Sequence, residues 1–176
     1  MILSRKVFLW TIMKSVDPLD FRVAMREWAT GVTVLASDFQ GIRHGMTVNS
    51  FTSISLTPPL VLVSLERDSR THKLVTTAGF FGVTILARNQ EEVSDCFAGR
   101  HTEHENRFEN IDTFTLTTGA PFINGGLAFF DCRVLDMHDF ATHTIFVAEV
   151  VDLRLTQHPA GNHPLIYHQR SYKGVQ

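Results

Sequence analysis

The sequence predicts a mainly β domain, an antiparallel barrel either closed or split, with short helices at its periphery. Three observations predict it. Short β-branched and aromatic runs recur between Val32 and Tyr167, punctuated by Gly, Pro, Asn and Asp turns. The helical segments between them are brief and do not alternate regularly with strands, which argues against a doubly wound parallel sheet. Phe is abundant, with 14 residues against two Tyr and two Trp, and aromatic residues of this kind favour strands and an aromatic-lined interior.

Composition sets the outer bounds. A chain of 176 residues suits one domain and can bury about 70% of its unfolded surface, enough to need no disulfide staples. Apolar residues make up 44% and charged residues 19%, an ordinary globular balance. The net charge of −2, without clustered Lys and Arg, argues against a nucleic-acid surface. Cys96 and Cys132 are the two cysteines and neither sits in a CxxC pair. A disulfide framework and a thiolate zinc site are therefore not expected; two buried reduced thiols in a cytoplasmic protein are.

The first sixteen residues form an N-terminal extension, and the domain proper spans 17–176. The run from Val7 to Met13 is too short to cross a bilayer, and no small-x-small cleavage site follows it before Asp17-Pro18. Two options stay open for this arm: translation starting at Met13, or an extension that is disordered or packs on a partner.

Asp17 as N-cap and Pro18 at the first helical position start a helix. Phe21, Ala24, Met25 and Trp28 give it an apolar face, and Gly31 is the expected C′ residue. Val32–Ser37 and Ile42–Val48 read as strands joined through the Asp38–Gly41 turn. Leu60–Leu65 follows Pro58-Pro59 as a continuous apolar run, the pattern of a strand buried on both faces. Ser69 caps a short helix carrying Leu74 and Val75, and Phe80–Ala87 is the next strand. Asn89 is placed to cap a second short helix with Glu91 and Glu92 in its first turn, ended by Gly99. Arg100–Phe114 is polar and without clear period, and reads as a mobile excursion or lid. Leu127–Met137 and Thr144–Leu155 are long strands joined by a loop over His138–His143, and Pro164–Tyr167 is a last short strand.

No GxGxxG, GxxxxGK[ST] or GxSxG pattern is present, so dinucleotide-fold, P-loop and serine-hydrolase readings have no support. The segment that stands out runs from His44 to Leu65. It enters a bend where Thr47, Asn49, Ser50, Thr52, Ser53 and Ser55 crowd together, then breaks at Pro58-Pro59. Such a bend either satisfies its own backbone through local side-chain bonds or offers amide, hydroxyl and N–H groups to a planar, phosphorylated ligand.

This segment, its place after a hairpin and its Pro-Pro-Leu-Val-Leu-Val-Ser continuation resemble the flavin reductase-like family. These are the small NAD(P)H:flavin reductases of two-component monooxygenases, built on the FMN-binding split β-barrel, and the resemblance runs from about Phe21 to Lys173. It implies that Thr47, Val48, Asn49 and Ser50 surround the flavin ring and ribityl chain, with Ser64 and Leu65 alongside. It implies that Arg67, Ser69, Arg70 and Thr71 lie near the flavin phosphate. A helix N-terminus with hydroxyls and a forked cation is independently suited to phosphate; a capped surface helix with solvated arginines is the other reading. Phe97, Ala98, Gly99 and Arg100 match a helix end near the flavin, and Arg107-Phe108 a following motif.

His143 matches the family's nicotinamide-site His, although the usual Gly-Asp before it is Ala141-Thr142 here. Either the lost acid leaves the imidazole less firmly oriented, or Thr142 replaces its hydrogen bond, or His143 merely packs at a strand end. Tyr172 fits an aromatic near the ligands, and Tyr167 a packing role. His101-x-x-His104 would suit a metal only on a helix, and its loop composition favours a solvated segment; no metal is expected.

The resemblance implies an NAD(P)H:flavin oxidoreductase using FMN or FAD and NADH or NADPH, a homodimer serving a monooxygenase component, with neither nucleic acid nor membrane as partner. Two alternatives remain at this point. One is a flavin-binding electron carrier or sensor. The other is a split-barrel flavoenzyme acting on another substrate, such as a corrinoid or a pyridoxine-type vitamer.

Overall fold

The computed structural model describes residues 15–100, 106–157 and 163–174. Most of the expected N-terminal extension, and the His101/His104 pair, lie outside the described residues.

A seven-stranded antiparallel sheet dominates. Its strands are β2 (Thr33–Phe39), β3 (Ile42–Val48), β4 (Thr52–Leu56), β5 (Pro59–Glu66), β6 (Phe80–Ile85), β9 (Ala128–Phe140) and β10 (His143–Leu155). They are ordered β3-β2-β6-β9-β10-β5-β4. β3 and β4 are the two edges, so the curled sheet is open along the line between β3 and the β4–β5 hairpin: a split barrel. A smaller sheet pairs β1 (Thr30–Gly31), β11 (Leu165–His168) and β12 (Ser171–Gly174), and β7 (Thr113–Thr115) pairs with β8 (Pro121–Ile123). Three helices, α1 (Pro18–Ala24), α2 (Arg70–Ala78) and α3 (Glu91–Phe97), lie around the sheets.

The core follows from strand alternation. Leu35, Val63, Leu65, Phe81, Val83 and Phe146 meet Val75 of α2 in one cluster. Val34, Leu86, Phe97, Ile123 and Leu165 form a second under α3. Phe122 and Phe129 form a third with Ala120. The expected aromatic interior is there.

Several expectations need correcting. α1 starts where Asp17 and Pro18 place it, with Asp17 Oδ1 accepting from Leu19 N–H. It ends at Ala24, a 3-10 turn follows over Met25–Glu27, and Gly31 belongs to β1 rather than capping the helix. Strand pairing wins because Thr30 and Gly31 face Tyr167 and Ile166 of β11. The predicted apolar face is not buried: Phe21, Met25 and Trp28 are exposed. β5 alternates instead of burying both faces, with Val61, Val63 and Leu65 inward and Leu60, Leu62 and Ser64 half-buried. The hydroxyl-rich stretch after Phe51 is not all bend, since Thr52–Leu56 pairs with β5 as β4. Gln90, not Asn89, precedes α3, and it works through its side chain, which accepts from Ala87 N–H and donates to Asn124 O. The expected loop over His138–His143 shrinks to a two-residue turn, because β9 and β10 pair out to Phe140 and His143. The excursion after Arg100 regains structure at β7, and β12 extends the chain end beyond the predicted last strand.

Other expectations hold. The β2–β3 turn is a tight hairpin, with Gln40 and Gly41 both at positive φ (55° and 83°), as a type I′ turn requires. Ser69 caps α2 by accepting from His72 N–H at 3.1 Å. Gly99 takes φ 71° after α3. Both cysteines are free, Cys132 buried but Cys96 only half-buried, and burial pushes both thiols up.

Candidate functional site

The expected ligand residues fall into three groups along the split. The first surrounds the C-terminal end of β3. Thr47 Oγ1 donates to Ser94 O at 2.6 Å, tying β3 to α3. Tyr172 of β12 donates its phenolic proton to the Asp95 carboxylate and lies 2.9 Å from Ser94 Oγ. Burial, and then the bonded Asp95, push the Tyr172 phenol up. Arg100 is paired with Asp95 at 2.8 Å, donates to Tyr167 Oη at 3.3 Å, and sits over the Tyr172 ring. Together these groups wall a pocket of about 210 Å³ that Val32, Val48, Asn49 and Ala98 complete. Asn49 is exposed and also borders a second hollow of about 440 Å³, with Trp28, Thr30, Ser50 and Phe51.

The second group lies at the other end of β3. His44 Nδ1 is 2.8 Å from Thr71 Oγ1 in the first turn of α2. Arg107 Nη1 donates to Gly45 O (3.0 Å) and Phe97 O (2.8 Å), joining β3 to the end of α3. Burial, and then the charges of Arg107 and Arg70, lower the His44 pKa to about 4. Burial and Arg70 also lower Arg107. Three basic groups thus crowd one region, and Arg70 has no ion-pair partner among the described residues.

In the connection from β3 to β4, Ser50 bridges the split. Its Oγ donates to Ser64 O (2.9 Å) and accepts from Ser64 N–H (3.1 Å), continuing by one side chain the pairing that β4 begins. Ser50 and Ser64 are therefore structurally committed through these atoms. Leu65 is fully buried in the core, so its side chain cannot face a ligand there.

The third group is the tip of the β9–β10 hairpin. His143 is exposed, pairs in register with Glu66 and Phe140, and has Nδ1 2.9 Å from Thr142 Oγ1. The Thr142 hydroxyl thus stands within hydrogen-bond distance of the His143 ring. Arg67 reaches this tip, its N–H donating to Thr142 O at 3.0 Å, rather than joining Arg70. Tyr172 and His143, expected to share a site, make separate contacts, and Tyr172 lines the pocket with Thr47, Val48 and Asn49.

Sequence reasoning missed Ser94, Asp95, Val32 and His44. Ser94-Asp95 sit inside a helix, where nothing in the local pattern marks them as site-facing. Among the described residues no group of three His, Cys, Asp or Glu could hold a metal, and no helix is long and apolar enough to cross a membrane.

A flavin reductase like domain profile matches residues 25–176. The chain belongs to the flavin reductase-like family. The NADH-dependent FMN reductase RutF of Agrobacterium fabrum is 33% identical over 173 residues, covering 98% of this chain and 97% of that protein. The NADH-dependent flavin reductase StyB of Pseudomonas fluorescens is 38% identical over 160 residues, covering 90% and 91%. Among solved structures, the styrene monooxygenase flavin reductase of Pseudomonas putida S12 superposes with a TM-score of 0.77 at 36% identity, covering 89% of this chain and 97% of that one.

Proposed function

We propose that this chain is an NADH-dependent flavin reductase that supplies reduced FMN or FAD to a flavin-dependent monooxygenase. Relatives of nearly equal length bear these names. The observation that carries the reading is the layout of β3. A pocket lined by Tyr172 and Val48 stands at its Thr47 end, and unneutralised cations crowd its His44 end. Gly45 and Thr47 face α3 while His44 faces α2, so β3 presents the pocket and the basic groups on its two faces, joined across the open edge of the sheet.

The residues fit the group. Asn49 offers a side-chain amide with no partner among the described residues, beside the pocket. Arg70, at the capped start of α2, offers a forked cation, and an anion there would offset the charges of Arg70 and Arg107, beside which His44 stays neutral. Ser50, Ser64, Ser69 and Thr71 already use their hydroxyls or backbone atoms within the protein. Their support for the flavin comes through the shape they hold and through the main chain at the start of α2. Ala98, Gly99 and Arg100 close the pocket from the α3 side. When bound, the flavin supplies the acceptor for hydride from the nicotinamide, so no acid–base pair is needed. The protein's part is to hold two flat rings in contact and to exclude water, which Val32, Val48, Tyr167 and Tyr172 do at the pocket wall. His143 meets the nicotinamide of the donor.

A homodimer is part of this proposal. Leu135, Met137 and Phe140 on β9, and Val151, Leu153 and Leu155 on β10, are exposed apolar residues on one long hairpin, a surface suited to burial against a second copy. Sedimentation at micromolar concentration should show a dimer; monomer alone would remove this element. The activity itself is tested by mixing purified protein, NADH and FMN or FAD and following the nicotinamide absorbance. Flavin-dependent oxidation is expected, faster with NADH than NADPH, and its absence with both donors overturns the proposal.

A further inference from the structure

The tip of the β9–β10 hairpin is exposed, and it is held from outside itself. Thr144, the residue after His143, is buried. Its hydroxyl lies 2.6 Å from Asp139 Oδ1 and 2.8 Å from His72 Nε2. A carboxylate only accepts, so the single Thr144 proton goes to Asp139 and the hydroxyl oxygen accepts from His72 Nε2–H. This settles the His72 tautomer. Its Nδ1 is left without a proton, and that atom is buried with no partner among the described residues. The ring is braced edge-on against Phe146, with centroids 5.2 Å apart.

A second tie joins the same tip to the segment before α2. The Arg67 main-chain N–H donates to Thr142 O, and its guanidinium is 3.6 Å from the other Asp139 oxygen. Asp139, Thr142 and Thr144 are therefore each tethered to Arg67 or to His72. His143 sits between two tethered residues, with Thr142 Oγ1 on its Nδ1. Nε2 is the ring nitrogen left for a ligand.

We propose that His72, Thr144 and Asp139 form a positioning relay for His143, holding its backbone while Thr142 sets its ring, so that Nε2 addresses the nicotinamide end of the donor. The inference rests on the role given to His143 above. None of the three relay residues touches the donor; they act through His143. A relay that merely stabilised the fold would lower the melting temperature without separating donor binding from flavin binding.

The test is steady-state kinetics with NADH and FMN, alongside FMN titration and thermal melts, on five variants. His143→Ala should raise the KM for NADH and leave FMN affinity intact. Thr144→Val removes the hydroxyl at nearly constant volume and should raise that KM about three- to fivefold at little changed kcat, with Thr144→Ser returning it to within about twofold of the parent. Thr142→Val, at an exposed position, should raise the KM about twofold without moving the melting temperature, and Thr142→Ser should restore it. If His143→Ala changes nothing, the role of His143 and the relay both fall. If His143→Ala raises the KM but Thr144→Val and Thr142→Val leave it at the parent value, the relay is overturned and His143 keeps its role. A Thr144→Val defect that Thr144→Ser does not reverse also overturns the relay.

Discussion

The two ends of the proposed reaction site are built differently. The flavin side rests on β3 and on two helices packed against it, and several of its polar side chains are tied to main chain: Thr47 to Ser94 O, Ser50 to Ser64, Arg107 to Gly45 O and Phe97 O. The donor side is a two-residue turn beyond the core, with His143 exposed, Thr142 Oγ1 on its ring, and its flanking residues bonded to the Arg67 main chain and to His72 of α2. A tightly bonded cradle keeps its shape before any ligand arrives, so binding there loses little to ordering. The tip also holds Ala141 at φ 48°, a left-handed backbone that glycine adopts more readily than alanine.

The largest effect should come from breaking the cradle. Arg107→Ala removes two charge-assisted bonds to carbonyls of β3 and α3, and should cost about 2–3 kcal/mol of stability together with a clear loss of flavin affinity. Chemical denaturation and FMN titration would measure both. An intact cradle with normal affinity would mean that β3 and α3 need no such tie.

Arg70→Ala tests the phosphate end alone. FMN affinity should fall about five- to tenfold, near 1 kcal/mol, while riboflavin, which has no phosphate, binds as before. Equal weakening of both ligands would move the phosphate elsewhere.

On the donor side, His143→Ala should raise the KM for NADH about fivefold and leave FMN affinity and melting temperature unchanged. A parallel loss of flavin binding would erase the separation between the two sides.

The smallest effect concerns His44. Its pKa in the fold is lowered from 6.5 to about 4, chiefly by burial and then by Arg107 and Arg70. The unfolded chain therefore takes up more protons than the folded one within that interval. Stability is full above pH 6.5 and declines as pH falls toward 4. His72, also lowered by burial, acts in the same sense. Melting temperature followed from pH 7 to 4.5 should fall, and His44→Asn should flatten part of that slope by a few degrees. A slope unchanged by the substitution would place the titrating group elsewhere.

Much of this was legible in the chain. The Ser69 cap, the Gln40-Gly41 hairpin and the alternation at the start of β10 are local signals, set by hydrogen bonds within a few residues or by period-two burial. What misled was also local. The Ser/Thr content of Thr52–Leu56 suits a bend as well as an edge strand, and pairing with β5 decided for the strand. His138–Phe140 looks like loop because it is polar, yet it continues β9 because β10 offers an antiparallel partner beyond the core. The apolar face of α1 has helical spacing, but spacing says nothing about whether another element covers it.

The sequence by itself determined the class of fold, the capped starts of α1 and α2, the tight turn between β2 and β3, and, through the His44–Leu65 segment, the family. Each depends on near neighbours in the chain or on a contiguous motif. Only the tertiary structure decided which of the predicted ligand residues are still free. It spent the hydroxyls of Ser50, Ser69 and Thr71 on the protein itself, left Asn49 and Arg70 without such partners among the described residues, and placed Tyr172 at the pocket at the end of β3. It also joined His72 to Thr144, 72 residues apart, a bond no local pattern encodes. A side chain's commitments depend on what the fold brings within 3 Å of it, and that is a property of packing rather than of order along the chain.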